Sequence, residues 1–333
     1  MLVGLVLAAC SKSEPTPGEG GATGAEAATA AADGAAGASR EPLRLAELAV
    51  ADMVPEDVRI PGFQAIADKA VQDAFIDPDH SFARAAEDDA GACKAQVQIG
   101  YALMVNGRPV ADADAGSARA VIEIEVFCPD PSHAGEIEAY RLTLDDERSF
   151  GESAGGSSKG RLEEVVRQVA KDGAEGVYGQ ARTRHADDAR ILANLAQSAE
   201  AAADPKAEQH PGILSESASE AGERHLVAAV PDLVRLTAHP NVRVSVRAGA
   251  ALGLLKVATP EVLQALVRMT EGPSAQRHLV AIHALADLGT PDARRYLDNL
   301  ATGHPDAALR ELARERLRQL AKPDGDAPGT DAP

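Results

Sequence analysis

Two interleaved series of prolines constrain the C-terminal part of this chain more than any other feature. His-Pro or Gly-Pro stands at His210-Pro211, His239-Pro240, Gly272-Pro273 and His304-Pro305, with the prolines 29, 33 and 32 residues apart. A second series, Val230-Pro231-Asp232, Thr259-Pro260-Glu261 and Thr290-Pro291-Asp292, falls between them. Proline presets φ for a first helical turn and lacks a donor that would be unpaired there. An acid just after it meets the positive end of the helix. Each second-series proline therefore predicts a helix start, as in Asp232-Leu233-Val234-Arg235-Leu236. Each first-series member precedes a longer, alanine-rich helical stretch, clearest at 244–253, 278–286 and 308–314. A short unit of two helices cannot bury its own apolar face, so such units have to stack.

The run Val246-Arg247-Ala248-Gly249-Ala250-Ala251-Leu252-Gly253, followed by Thr259-Pro260-Glu261, resembles the short HEAT repeats first grouped with phycobilisome-lyase proteins. The resemblance implies an α-solenoid of stacked helix pairs over 183–321. It counts four pairs, the first (about 188–228) degenerate. Such an array offers an elongated surface to a protein partner. Arg243, Arg247, Arg277, Arg310 and Arg314 fall on its longer helices and make a candidate partner-binding face. The alternative is that these arginines pair within the array and lay their stems over the small-residue helices.

At the other end, residues 2–9 are uninterrupted apolar or small residues, too short to span a bilayer. Leu7-Ala8-Ala9-Cys10 resembles the lipobox of bacterial lipoproteins. The resemblance implies cleavage before Cys10, acylation of that residue and a place in the cell envelope. Ser11 resembles the second mature residue of lipoproteins sorted to the outer membrane, facing the periplasm. No Lys or Arg precedes the apolar run, so a basic leader upstream is expected. Residues 10–42 hold Gly, Ala, Glu, Ser, Thr and Pro and read as a disordered tether spanning about 30 Å. Residues 322–333 read as a disordered tail by the same composition.

Residues 43–182 read as an α+β unit. Val97, Ile99, Tyr101, Leu103 and Val105 alternate with Gln96, Gln98, Gly100, Ala102 and Met104, predicting a strand over 94–105. Ile122, Ile124 and Val126 predict a second over 118–128, and Tyr140, Leu142 and Leu144 a third over 137–145. Connections this short predict a three-stranded antiparallel sheet. Phe63, Ile66, Ala67, Ala70, Val71 and Ala74 form one helical stripe, and Leu162, Val165, Val166, Val169 and Ala170 another. The helices are expected over one sheet face.

The inward positions of the first two strands meet when opposed residue numbers sum to 221, so that Val97 faces Ile124 and Ile99 faces Ile122. In that register Cys93 faces Cys128. Given the oxidising compartment that the lipobox implies, a Cys93–Cys128 disulfide is expected; two free buried thiols are the alternative.

Charge narrows the function. The chain carries 33 Lys+Arg against 51 Asp+Glu, a net of −18, which argues against a nucleic-acid partner, whose phosphates demand a basic surface. The excess lies in residues 43–223, with 17 basic and 34 acidic residues, whereas 224–322 hold 14 and 9. Aromatics are only 3% of the chain, a thin basis for a stacked-ligand pocket. HEAT-like iron hydroxylases carry His-Glu dipeptides on their repeat helices, and no His-Glu occurs among the nine histidines. His278 and His283, five apart, miss the spacing that sets two ligands on one helix face. His239 and His304 beside Pro read as turn-filling residues. No nucleophile elbow, phosphate loop or dinucleotide fingerprint occurs. Glu123 and Glu125 share a strand face and read as a solvated surface. The expectation is a lipid-anchored, non-enzymatic scaffold that binds protein, without a metal or other cofactor. The alternative is a small-ligand or lipid binder using the α+β unit.

Overall fold

The computed structural model describes residues 42–76, 81–130, 133, 135–151, 157–200 and 210–321. The expected signal segment, Cys10, all but the last residue of the tether, and the tail lie outside the described residues. The described residues belong to one compact unit.

The sheet corrects the expectation of three antiparallel strands. It has six: β1 (Leu43–Asp52), β2 (Phe82–Arg84), β3 (Cys93–Val105), β4 (Arg108–Val110), β5 (Gly116–Pro129) and β6 (Ile137–Phe150). Their order is β2-β1-β3-β5-β6, with β4 also paired to β3. The pairs β3–β5 and β5–β6 are antiparallel, but β1 runs parallel to both β2 and β3, so the sheet is mixed. The physical reason lies in β1, which reads Leu-Arg-Leu-Ala-Glu-Leu-Ala-Val. Those residues favour helix over strand, and pairing with β3 overrides them. Helix α1 (Phe63–Phe75) lies between β1 and β2 in the chain, which gives that parallel pair its crossover. β6 also runs on past its apolar alternation. Asp145 and Asp146 stay in the ladder opposite Val121 and Ala120.

Helices α1 and α2 (Ser158–Thr183) lie side by side over one sheet face. Val97, Ile99 and Leu103 of β3 and Ile122, Ile124 and Val126 of β5 meet Phe63, Ala67 and Val71 of α1 and Leu162, Val165 and Val169 of α2. The opposite face is polar and open. There Lys94 pairs with Glu47 at 3.2 Å and Arg141 with Glu125 at 2.6 Å, while Glu123 is exposed.

Eight further helices follow among the described residues: α3 (Asp188–Glu200), α4 (Pro211–Glu223), α5 (Val230–Leu236), α6 (Val242–Leu255), α7 (Pro260–Met269), α8 (Ala275–Leu288), α9 (Pro291–Gly303) and α10 (Ala307–Ala321). Helices α4, α6, α8 and α10 pack in series, and α3, α5 and α7 form a second row beside them. Small residues set the spacing of the first row. A Cβ on Gly222 would lie 2.9 Å from the Cα of Ala251, and one on Gly253 2.9 Å from that of Ala284. Thr259 and Thr290 cap α7 and α9, each followed by proline in the first turn. The His-Pro histidines share one local role. Nδ1 of His210, His239 and His304 accepts the backbone N–H two residues on, at 3.0, 3.1 and 3.1 Å.

The two halves are welded where α4 crosses α2. A Cβ on Gly179 would collide with the carbonyl oxygen of Gly212, and one on Gly212 with that of Glu175. Ile213 of α4 belongs to the core beneath the sheet.

Candidate ligand groove at the sheet edge

Among the described residues β6 pairs with β5 alone, so it ends the sheet. Helix α2 packs beneath β5 and β6, and α4 packs on α2 beyond the sheet. The step between sheet edge and helix layer is a groove of about 270 Å³. Ala139, Tyr140 and Arg141 of β6 form one wall, Gln180, Thr183 and Arg184 at the end of α2 the bottom, and Glu216 and Glu220 of α4 the other wall.

The polar groups around the groove are held by one another. Glu138 accepts a hydrogen bond from the Tyr140 hydroxyl at 2.6 Å and contacts His185 Nε2 at 2.8 Å; Arg184 stands 3.6 Å away. The hydrogen bonds from Tyr140 and His185 hold the Glu138 carboxyl below the usual carboxylate range. Burial, and then its bond to Glu138, push the Tyr140 phenol well above its ordinary value.

Arg243, at the start of α6, fixes the far wall. Its Nη2 meets Glu216 Oε1 at 2.8 Å, and its Nη1 donates to the carbonyl oxygen of Asp172 on α2 at 2.8 Å. Both charged side chains are nearly buried, 12% and 11% exposed. One guanidinium thus ties together α2, α4 and α6. Burial raises the nearby Asp172 carboxyl, with the Gln168 hydrogen bond and the Arg243 charge pulling it back.

Of the five arginines expected to form a partner face, four are engaged within the chain. Arg243 is the tie just described. Arg277 donates to the carbonyl oxygens of His239 and Pro240 at 2.7 and 3.3 Å, and Arg310 to those of His304 and Pro305 at 2.6 and 2.9 Å. Arg314 pairs with Glu311 at 3.2 Å. Only Arg247, among these five, has neither ion pair nor hydrogen bond to the described residues. Leu254 of α6 and Leu279 of α8 are exposed at 47% and 46%.

Cys93 and Cys128 are joined, Sγ to Sγ at 2.05 Å. They sit one step beyond the pair Lys94–Phe127, in the register whose numbers sum to 221. The bridge ties the start of β3 to the end of β5, just before the turn that leads into β6. That turn places ligand atoms of Asp130, His133 and Glu136 within 4.8 Å of one another, two of the three residues exposed. Asp130 already holds His133 Nδ1 at 3.1 Å and the His133 N–H at 3.3 Å, which accounts for the cluster as a closed turn.

The groove was not visible in the sequence. Glu138 and Tyr140 are two apart on a strand, but His185 lies 47 residues from Glu138. Nothing in the local pattern joins them. No helix of the described residues is long and apolar enough to cross a membrane. No protein-family model and no curated protein matches the chain.

Proposed function

We propose that this chain is a non-catalytic binding scaffold of the bacterial cell envelope. Acyl chains on Cys10 hold it to a membrane, the outer one on the reading of Ser11, and its folded unit engages a protein partner. The observation that carries this reading is the weld through Arg243, whose nearly buried guanidinium ties α2, α4 and α6 together, because a binding platform needs its parts in fixed relation. At the groove, Glu138, Tyr140 and His185 are bonded to one another, which suits groups that hold a shape.

A small polar ligand in the same groove is the second reading. It is favoured by the volume, about 270 Å³, near the lower end of the range for small-molecule sites (~300 Å³).

In-cell photo-crosslinking tests the scaffold reading. A photoreactive residue placed at Ala139 in the groove or at Leu279 on α8 is expected to give a discrete protein adduct from at least one position. Cys10→Ala is expected to move the protein out of the membrane fraction. Lack of protein adducts from both positions in the anchored protein contradicts the scaffold reading.

A further inference from the structure

We infer that β6 is a strand-addition site, and that its occupant is an extended, positively charged segment of a partner protein. The inference rests on the scaffold reading and specifies how the partner docks.

β6 is a 14-residue strand with a neighbour on one side only among the described residues. A long free edge presents a row of backbone N–H and C=O groups ready to pair with another chain. Extended peptides use such edges, with the ladder giving affinity and the alternate side chains giving specificity. The groove supplies what a bare edge lacks. Helix α4 lies beyond β6 at the level of the helix layer, so a strand added to β6 would have a floor beneath it. The same layer argues against a second copy of this chain as the occupant. A two-fold pairing of β6 with itself would bring the partner copy's α2 under its own β6, where α4 already lies.

The side chains of β6 define the occupant. On the helix side, Leu142 and Leu144 are only partly buried against the core, so apolar residues at alternate positions of the added strand would cover them. On the open side, Asp145 and Glu147 are exposed, Asp145 paired with Arg119 at 3.3 Å and Glu147 accepting from the Ser117 hydroxyl. The basic residues of the strand are already engaged, Arg141 by Glu125 at 2.6 Å and Arg148 by Asp146 and Glu164 at 3.0 and 2.6 Å. On the far wall Glu216 is held by Arg243 and Glu220 by Arg224, each at 2.8 Å. Residues 43–223 carry twice as many acidic as basic side chains, 34 against 17, a field that attracts a cationic segment. The fitting sequence therefore alternates apolar with Lys or Arg.

The test uses the whole chain and three synthetic octapeptides. One alternates Lys and Val, one alternates Glu and Val, and one is the Lys-Val peptide methylated at every peptide nitrogen. Fluorescence anisotropy is expected to show binding of the first, with the other two at least tenfold weaker. Hydrogen exchange is expected to show new protection in β6. Asp145→Lys combined with Glu147→Lys, both on the exposed face, should weaken the Lys-Val peptide at least tenfold while leaving the fold intact by circular dichroism. Equal binding of the methylated peptide would mean charge attraction without a ladder and overturns the inference. So does protection on α6 and α8 in place of β6, or no binding of any peptide. If the peptides fail while in-cell crosslinks to protein persist, strand addition falls and the scaffold reading stands. If crosslinks are absent as well, both fall.

Discussion

Arg243 and Arg247 sit one helical turn apart and have opposite surroundings. Breaking a buried charge pair by removing one partner is costly because the other charge is left behind. Arg243→Ala strands Glu216 and the Asp172 carbonyl oxygen, so a loss of about 3 kcal/mol is expected in urea unfolding. Arg247→Ala removes no such contact and is expected to change stability by no more than about 0.5 kcal/mol. The sequence placed both on one candidate face, because helical spacing shows which residues are neighbours but not whether a neighbouring helix supplies a carboxylate. Glu138 carries a pH signature. Its folded pKa is lowered, so its contribution to stability is present above the ordinary carboxylate value of 4.5 and is lost as pH falls through the lowered one. The stability gap between the native chain and Glu138→Gln should therefore be widest at neutral pH and narrow as pH falls below 4.5. Unfolding midpoints measured across that window check it; a gap that is flat with pH assigns Glu138 no such role.

Among the elements, the legible ones were those whose local chemistry decides their form. Proline after Thr259 and Thr290 starts helices, and the β3–β5 register follows from the alternation of Val97, Ile99, Ile122 and Ile124. β1 was hidden because its leucines and alanines suit a helix, and only a parallel neighbour makes them a strand. The end of β6, residues 146–150, was hidden by its charges. The Cys93–Cys128 bridge closes a separation of 35 residues, for which chain entropy gives a stabilisation of about 3–4 kcal/mol. Replacing both cysteines by alanine should lower stability by that amount without changing the far-ultraviolet circular dichroism. Mass spectrometry of the native, unreduced protein under denaturant should find no thiol at Cys93 or Cys128; two reactive thiols would sink the bridge. The His-Pro turns are a further device read from spacing and given a mechanism by the structure. His239→Ala removes the acceptor for the Asn241 N–H and should cost about 1 kcal/mol, the usual size of a lost hydrogen bond.

At the scale of the molecule, composition marked a change of charge between the sheet half and the helical half, but not how they join. The joint is made of features with no sequence period: Gly179 against Gly212, and one guanidinium spanning α2, α4 and α6. The groove exists because of that joint, since α4 is held beyond the sheet edge by it. The claim that sheet and helices behave as one body is therefore the one on which the groove, the strand-addition site and the scaffold reading depend. Native-state hydrogen exchange at increasing urea tests it most directly. The slowest amides of β5 and of α6 should merge into one common unfolding free energy, and Arg243→Ala should lower both together. Exchange of α6 at a distinctly lower free energy, with β5 still protected, would show two independently opening halves and contradict the account.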